Sequence, residues 1–125
     1  MPLVGPKVES AKTRAILKRF RKMCLRLPEV KEVGSWGHPN FRAGKRTFAT
    51  IEWIKDRPSL AFRLGAAATR QCLSRYRLSF VTPYGRGEWL SVWVDGAVDW
   101  EFIGELLDQS YRLVALKRMV AALDE

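Results

Sequence analysis

The stretch from residue 35 to residue 50 divides this chain into two parts of different character. It contains the only histidine, His38, followed by Pro39, and then a basic turn at Ala43-Gly44-Lys45 that opens a regular alternating segment. Before it, apolar side chains recur at helical spacing, whereas after it they alternate as in strands and end in a second helical pattern. This order restricts the chain to folds in which helices flank one sheet.

Two helical patterns enclose the strands. The first follows Ser10, a suitable helix cap, and Pro28 is expected to end it because the residue before a proline avoids helical dihedral angles. The second is expected to begin at the cap Asp99, and it continues or restarts after Ala115. The apolar stripe of the first helix is Ile16, Leu17, Phe20, Cys24 and Leu27, and that of the second is Ile103, Leu106, Leu107, Ser110, Leu113 and Val114.

The segments between the helices predict a sheet. Strands are expected over 30–36, 40–42, 46–53, 59–64, 78–82 and 89–94, with a turn at His38-Pro39, a hairpin turn at 43–45 and a short helix over 65–73. The predicted fold class is α+β, a single antiparallel sheet with N- and C-terminal helices packed on one face. One domain is expected over 1–125, with a loose lead-in over 1–9 and a C-terminal helical extension over 117–125.

Charge is the strongest compositional signal, with 22 Lys and Arg against 13 Asp and Glu, a net charge of +9. Residues 1–35 carry nine basic and three acidic side chains, residues 36–94 carry ten and three, and residues 95–125 carry three and seven. A positive body of this kind attracts polyanions such as nucleic acids, although a basic balance also serves solubility.

Several protein classes are not expected. The first seven residues lack the apolar core of a signal peptide, and no apolar run approaches the roughly 18–20 residues that cross a bilayer, so a cytoplasmic protein without membrane contact is predicted. Cys24 and Cys72 match no redox or zinc motif and are expected to be buried thiols. The first helix is basic and offers no oxygen cluster for a hard cation, so no metal is expected. Nothing in the sequence requires a cofactor, and none is expected. A monomer is favoured over an obligate oligomer.

Several short motifs occur together in order and at consistent separations. They are Leu27-Pro28-Glu29-Val30, Trp36-Gly37-His38-Pro39-Asn40-Phe41-Arg42, Lys45, Phe48-Ala49, Trp89, Val98-Asp99-Trp100 and Leu107-Asp108-Gln109-Ser110-Tyr111. From about residue 15 to residue 116 the chain resembles the MmcQ/YjbR-like family of small bacterial proteins. The resemblance implies a frataxin-like (CyaY-like) fold and a DNA-binding role through a double-wing arrangement of hairpin loops. The segment after Leu64 and the extension past Lys117 depart from the family pattern.

Two loops are the main functional candidates. Residues 42–46 place three cations around a glycine turn, and Tyr84-Gly85-Arg86 places an aromatic ring beside another cation. Cations at the tips of loops that project from one sheet can contact phosphates, whereas the structural alternative is an ordinary hairpin with a charged tip. The predicted nucleic-acid contacts are Arg42, Lys45, Arg46, Arg86 and Tyr84, with Arg14 and Lys18 of the first helix in support.

A second hypothesis places a pocket for a small anionic ligand or substrate near His38. The predicted lining is Trp36, His38, Phe41, Trp89, Ser110 and Tyr111, with Ser110 and Tyr111 hydrogen-bonded toward His38. No partner for nucleophilic or acid–base catalysis stands at motif spacing from His38, so this histidine is expected to fix a turn and no catalytic residue is assigned. A binding protein is therefore favoured over an enzyme. A third hypothesis is an interaction module for an acidic protein partner.

Overall fold

A computed structural model describes residues 10–35 and 38–125, with the backbone but not the side chain of Ser35. The elements in these residues are α1 (Ala11–Leu25), β1 (Val30–Ser35), β2 (His38–Ala43), β3 (Arg46–Ile54), β4 (Arg57–Arg63), α2 (Ala66–Arg75), β5 (Ser79–Val81), β6 (Trp89–Trp93), α3 (Trp100–Val114) and α4 (Lys117–Leu123). The expected lead-in over 1–9 and the predicted pocket residue Trp36 lie outside the described part of the chain.

The six strands form one sheet in the order β1-β2-β3-β4-β6-β5, and every neighbouring pair is antiparallel. Each of the first three strands pairs with the next along the chain. β6 then inserts beside β4, and β5, although earlier in the sequence, takes the outer position. The predicted antiparallel α+β sheet is confirmed.

The long helices pack on one face of this sheet. The ring of Phe20 in α1 meets the rings of Phe41 and Phe62 edge-on, at centroid distances of 5.9 and 5.7 Å. The ring of Tyr111 in α3 meets that of Phe48 edge-on at 5.6 Å. These contacts place α1 and α3 on the same side of the sheet, called here the helix face, as predicted.

Strand alternation assigns the remaining side chains to the opposite side, called here the second face. Ala49 pairs with Phe62 and Ile51 pairs with Leu60, so these four side chains share the helix face. Since successive strand residues point to opposite sides, the intervening residues belong to the second face. They include Thr50, Glu52, Ser59, Ala61, Arg63, Trp89, Ser91 and Trp93.

A β-bulge in β3 adds one aromatic ring to the core. Phe41 pairs with Ala49 and Arg42 pairs with Thr47, so Phe48 is the extra residue between the two pairs. A bulge lets two consecutive residues point to one side. Phe48 therefore joins Ala49 on the helix face, where it is fully buried against Tyr111.

Two local predictions are wrong. α1 ends at Leu25 and does not reach Leu27, because the chain already turns over 26–29, where Glu29 adopts a positive φ of 58°. His38 and Pro39 do not form a turn, since they begin β2 and pair with Ser35 and Gly34. Pro39 is tolerated there because it precedes Asn40, the first β2 residue paired with β3, so it lies outside that ladder.

The C-terminal region follows the predicted pattern. Asp99 caps α3, accepting a hydrogen bond from the Phe102 backbone N–H at 3.1 Å. After Ala115 the helix restarts as α4, and Arg112 of α3 binds Asp124, which follows α4, with a shortest distance of 2.6 Å.

Cys24 and Cys72 are buried free thiols, as predicted. Among the described residues, no helix has the length and apolar character needed to span a membrane.

Candidate functional site

The register of the sheet brings the two predicted loops to the same end. β4 runs antiparallel to both of its neighbours, β3 and β6, so its last residue Arg63 lies beside the start of each. The β2–β3 turn at Gly44–Lys45 and the β5–β6 loop over 82–88 therefore project from one end of the sheet. This end, formed by residues 42–46 and 82–88, is called here the wing edge.

The β2–β3 turn is held against the helices. Gly44 has a φ of +69°, and a Cβ placed there would lie 3.4 Å from Cγ of Leu116, between α3 and α4. A positive φ at this position favours glycine, because glycine has no Cβ. With the turn fixed in this way, Arg42, Lys45 and Arg46 are all exposed.

The β5–β6 loop is tied to the end of β4 through its backbone. The carbonyl oxygen of Glu88 accepts hydrogen bonds from the N–H groups of Leu64 and Gly65, both at 2.9 Å. Three consecutive residues in the loop, 85–87, have a positive φ. The loop presents Arg86 and Tyr84, whose surface is 49% exposed, to solvent.

The wing edge carries cations that nearby acids do not neutralise. Within the described residues, Arg42, Lys45, Arg46 and Arg86 form no ion pair, whereas Arg57, Arg112 and Arg118 are each bound to a carboxylate at 3.1 Å or less. Three strand spacings separate the middle of the β2–β3 pair from the middle of the β6–β5 pair, which is about 14 Å. The two loops thus present positive charge at two separated points of one edge.

The other predicted nucleic-acid contacts lie elsewhere. Arg14 and Lys18 of α1 adjoin Pro39 at the start of β2 and Trp53 near the end of β3, opposite the wing edge. They line a cavity of about 650 Å³ between α1 and the helix face. Its lining is Arg14, Leu17, Lys18, Arg21, Pro39, Ile51 and Trp53, and it is called here the α1 groove.

The described residues of the predicted pocket around His38 do not come together. Phe41 and Tyr111 are fully buried on the helix face, while Trp89 belongs to the second face. The hydroxyl of Tyr111 donates to the carbonyl of Pro28 at 2.7 Å, and that of Ser110 donates to the carbonyl of Leu107 at 3.1 Å. The expected hydrogen bonds from Ser110 and Tyr111 toward His38 are therefore wrong.

By strand alternation, His38 shares the second face with Thr50 and Glu52. Among the described residues, the buried atoms Nδ1 of His38, Oγ1 of Thr50 and Oε1 of Glu52 have no hydrogen-bond partner. Burial raises the pKa of the Glu52 carboxyl from 4.5 to about 7. A carboxyl in this position holds its proton near neutral pH, because the low-dielectric surroundings disfavour its charged form.

This raised pKa predicts a pH-dependent effect of Glu52→Gln. The folded carboxyl binds a proton more tightly than the unfolded one, so wild-type stability falls as pH rises from about 4.5 through 7. At pH 8 the variant is expected to unfold with a free energy about 1–2 kcal/mol higher than wild type, less than the full shift implies because Glu52 retains some contact with water. At pH 4 the two proteins are expected to agree.

Urea unfolding at both pH values measures this difference. Asp56→Asn, at an exposed acidic residue in the β3–β4 turn, is the matched control and should change the free energy of unfolding by less than about 0.5 kcal/mol. Equal stabilities of Glu52→Gln and wild type at pH 8 would contradict the raised pKa of Glu52.

Comparison with known proteins agrees with this architecture. The YjbR family model matches residues 25–113, well over half of the chain. The chain belongs to the YjbR family. No curated protein matches the sequence significantly.

Two solved structures share the fold of this YjbR chain. The Deinococcus radiodurans protein DR2400, with a DUF419 domain, superposes with a TM-score of 0.70 at 22% identity, over 86% of this chain and 87% of the other. A Pseudomonas syringae protein superposes with a TM-score of 0.67 at 13% identity, over 78% of this chain and 97% of the other. At these identities the likeness establishes the fold alone.

The YjbR match covers the wing edge but not the cationic wall of the α1 groove. Residues 42–46 and 82–88 lie inside the matched range, whereas Arg14, Lys18 and Arg21 precede it. The sequence placed Arg14 and Lys18 on the first helix, but it did not show that Trp53 lies beside them. That pairing depends on the register of β3, which sequence spacing does not define.

Proposed function

We propose that this protein binds nucleic acid at the wing edge, mainly through phosphates. The observation that carries the proposal is the placement of two loops at one end of the sheet, with the exposed cations Arg42, Lys45, Arg46 and Arg86 free of ion pairs among the described residues. The two loops are about 14 Å apart, close to the roughly 12 Å width of the DNA major groove. Two loops at that distance can contact the backbones on either side of a groove.

The chemistry of these contacts favours affinity over sequence preference. Arginine and lysine neutralise phosphates and release counterions, and phosphates carry no base information. Four such contacts on duplex DNA predict a log–log salt slope of about −3.6, a loss of roughly a hundredfold between 50 and 200 mM salt. Tyr84 adds an exposed ring that can pack against sugar or base.

Fluorescence anisotropy with a labelled duplex of mixed sequence tests the proposal. Wild type is titrated over that salt range beside the hairpin variant Arg42→Glu, Lys45→Glu, Arg46→Glu and the single variant Arg86→Glu. The hairpin variant is expected to bind at least tenfold more weakly at low salt with a shallower slope, and Arg86→Glu to lose several-fold, because each change removes phosphate contacts.

A matched control carries the same charge change at the opposite end of the sheet. Lys12, Lys55 and Arg77 are exposed residues at the start of α1, the β3–β4 turn and the approach to β5. Their triple replacement by glutamate should leave affinity within about threefold of wild type, since surface charges beyond a Debye length are largely screened. The proposal fails if this control loses as much affinity as the hairpin variant, or if wild type does not bind at low salt.

A further inference from the structure

We propose that the α1 groove is a separate binding site for a small molecule that combines a planar aromatic ring with a phosphate group, about the size of a mononucleotide. The groove lies at the end of the sheet opposite the wing edge. It therefore does not depend on the nucleic-acid proposal, and each can fail without the other.

One wall of the groove is a row of cations on α1. Arg14, Lys18 and Arg21 are spaced four and three residues apart, which places them on one side of a helix. The row extends about 10 Å along the helix axis, because each residue adds 1.5 Å. Glu32 binds Arg21 at 2.9 Å, whereas Lys18 is exposed and forms no ion pair within the described part of the chain, so the wall keeps positive charge at Lys18.

The opposing wall is apolar and comes from the helix face of the sheet. It consists of Pro39, Ile51 and the partly buried indole of Trp53, with Leu17 at the base of the cation row. Tryptophan offers a flat surface on which an aromatic ring stacks, as bases do on aromatic side chains in nucleic-acid sites. The groove thus joins a stacking surface to an anion-binding row.

The size and charge of the groove define the ligand class. Its volume of about 650 Å³ falls within the roughly 300–1,000 Å³ of small-molecule sites, with room for a ring, a linker and a phosphate. A phosphate monoester carries nearly two negative charges at neutral pH, which matches a row of several cations better than a single charge does. Arginine also binds phosphate oxygens through two parallel N–H groups.

NMR titration of the full chain with 5′-AMP tests this site, with adenosine and inorganic phosphate as probes of each half. AMP is expected to shift the indole N–H resonance of Trp53, identified by its loss in Trp53→Phe, together with the amides of Leu17 and Ile51. Adenosine and phosphate alone are each expected to bind at least tenfold more weakly, because each makes only one class of contact.

Charge reversal at Lys18 provides the matched test. Lys18→Glu changes an exposed residue of the cation row and is expected to weaken AMP binding at least tenfold. Lys12→Glu, an exposed residue on the far side of the same helix, should leave AMP affinity within about twofold. The spectra also report whether each variant is folded.

Two results would overturn the proposal. One is the absence of shifts at Trp53, Leu17 and Ile51 with AMP up to about 10 mM. Any dissociation constant would then exceed that concentration, which is weaker than a specific site provides. In particular, shifts confined to 42–46 and 82–88 would assign AMP to the wing edge instead. The other is equal binding of adenosine and AMP, since the cation row would then contribute nothing.

Discussion

Phe20→Ala is expected to lower the free energy of unfolding by about 4 kcal/mol. Phe20 is fully buried in α1, and its ring makes edge-on contacts with Phe41 of β2 and Phe62 of β4. Truncation removes the apolar burial and both ring contacts and leaves a cavity between α1 and the sheet. Since a domain of this size unfolds with roughly 5–15 kcal/mol, this one change removes a large share of its stability.

Thermal and urea unfolding measure this loss. A destabilisation of 4 kcal/mol corresponds to a fall in Tm of roughly 15 °C for a chain of this length. Leu25→Ala is the control on the same helix, because Leu25 is 46% exposed and should cost less than about 1 kcal/mol. A loss below about 1 kcal/mol for Phe20→Ala would show that α1 is not anchored to the sheet through this ring.

Gly85→Ala is expected to cost about 3 kcal/mol of stability and to weaken nucleic-acid binding. Gly85 has a φ of +87°, which strains any residue with a Cβ, and that Cβ would lie 2.5 Å from Cδ1 of Trp89. Trp89 is only 8% exposed, so its ring cannot move away without disturbing the packing around it. The β5–β6 loop, with Arg86 at its tip, must shift instead.

Gly87→Ala separates backbone strain from the clash with Trp89. Gly87 also has a positive φ, +79°, but a Cβ there meets nothing within 4 Å. It should cost about 1 kcal/mol, the strain alone. Urea unfolding and anisotropy on both variants check the pair. Equal effects of the two substitutions would show that contact between Gly85 and Trp89 does not position the loop.

Elements with strong local signals were predictable. Phe20 and Cys24 belong to the apolar residues at helical spacing that follow the cap Ser10, and both are buried in α1. Gly44 and the alternation after it predicted the β2–β3 hairpin, and Asp99 predicted the start of α3. Each signal lies within a few residues, because caps, turns and alternation act over that range. Pro39 was misleading, because proline is common both in turns and at the first positions of a strand.

The candidate site was predictable only in part. Arg42, Lys45, Arg46 and Arg86 lie at one end of the sheet, as a double-wing arrangement requires, although their role stays a prediction. Arg14 and Lys18 lie at the other end, because the first turns of α1 pack beside Pro39 and Trp53, away from the loops. The predicted pocket failed because alternation places Phe41 and Trp89 on opposite faces.

By itself, the sequence determined the helices, most strands, most turns and the positive charge of the surface, because each depends on residues close together in the chain. Only the tertiary structure decided that β6 lies between β4 and β5, that a bulge turns Phe48 into the core, and that Trp53 faces the cations of α1. These features depend on the register between distant strands and on helix packing, where the free energy comes from contacts between residues far apart in sequence.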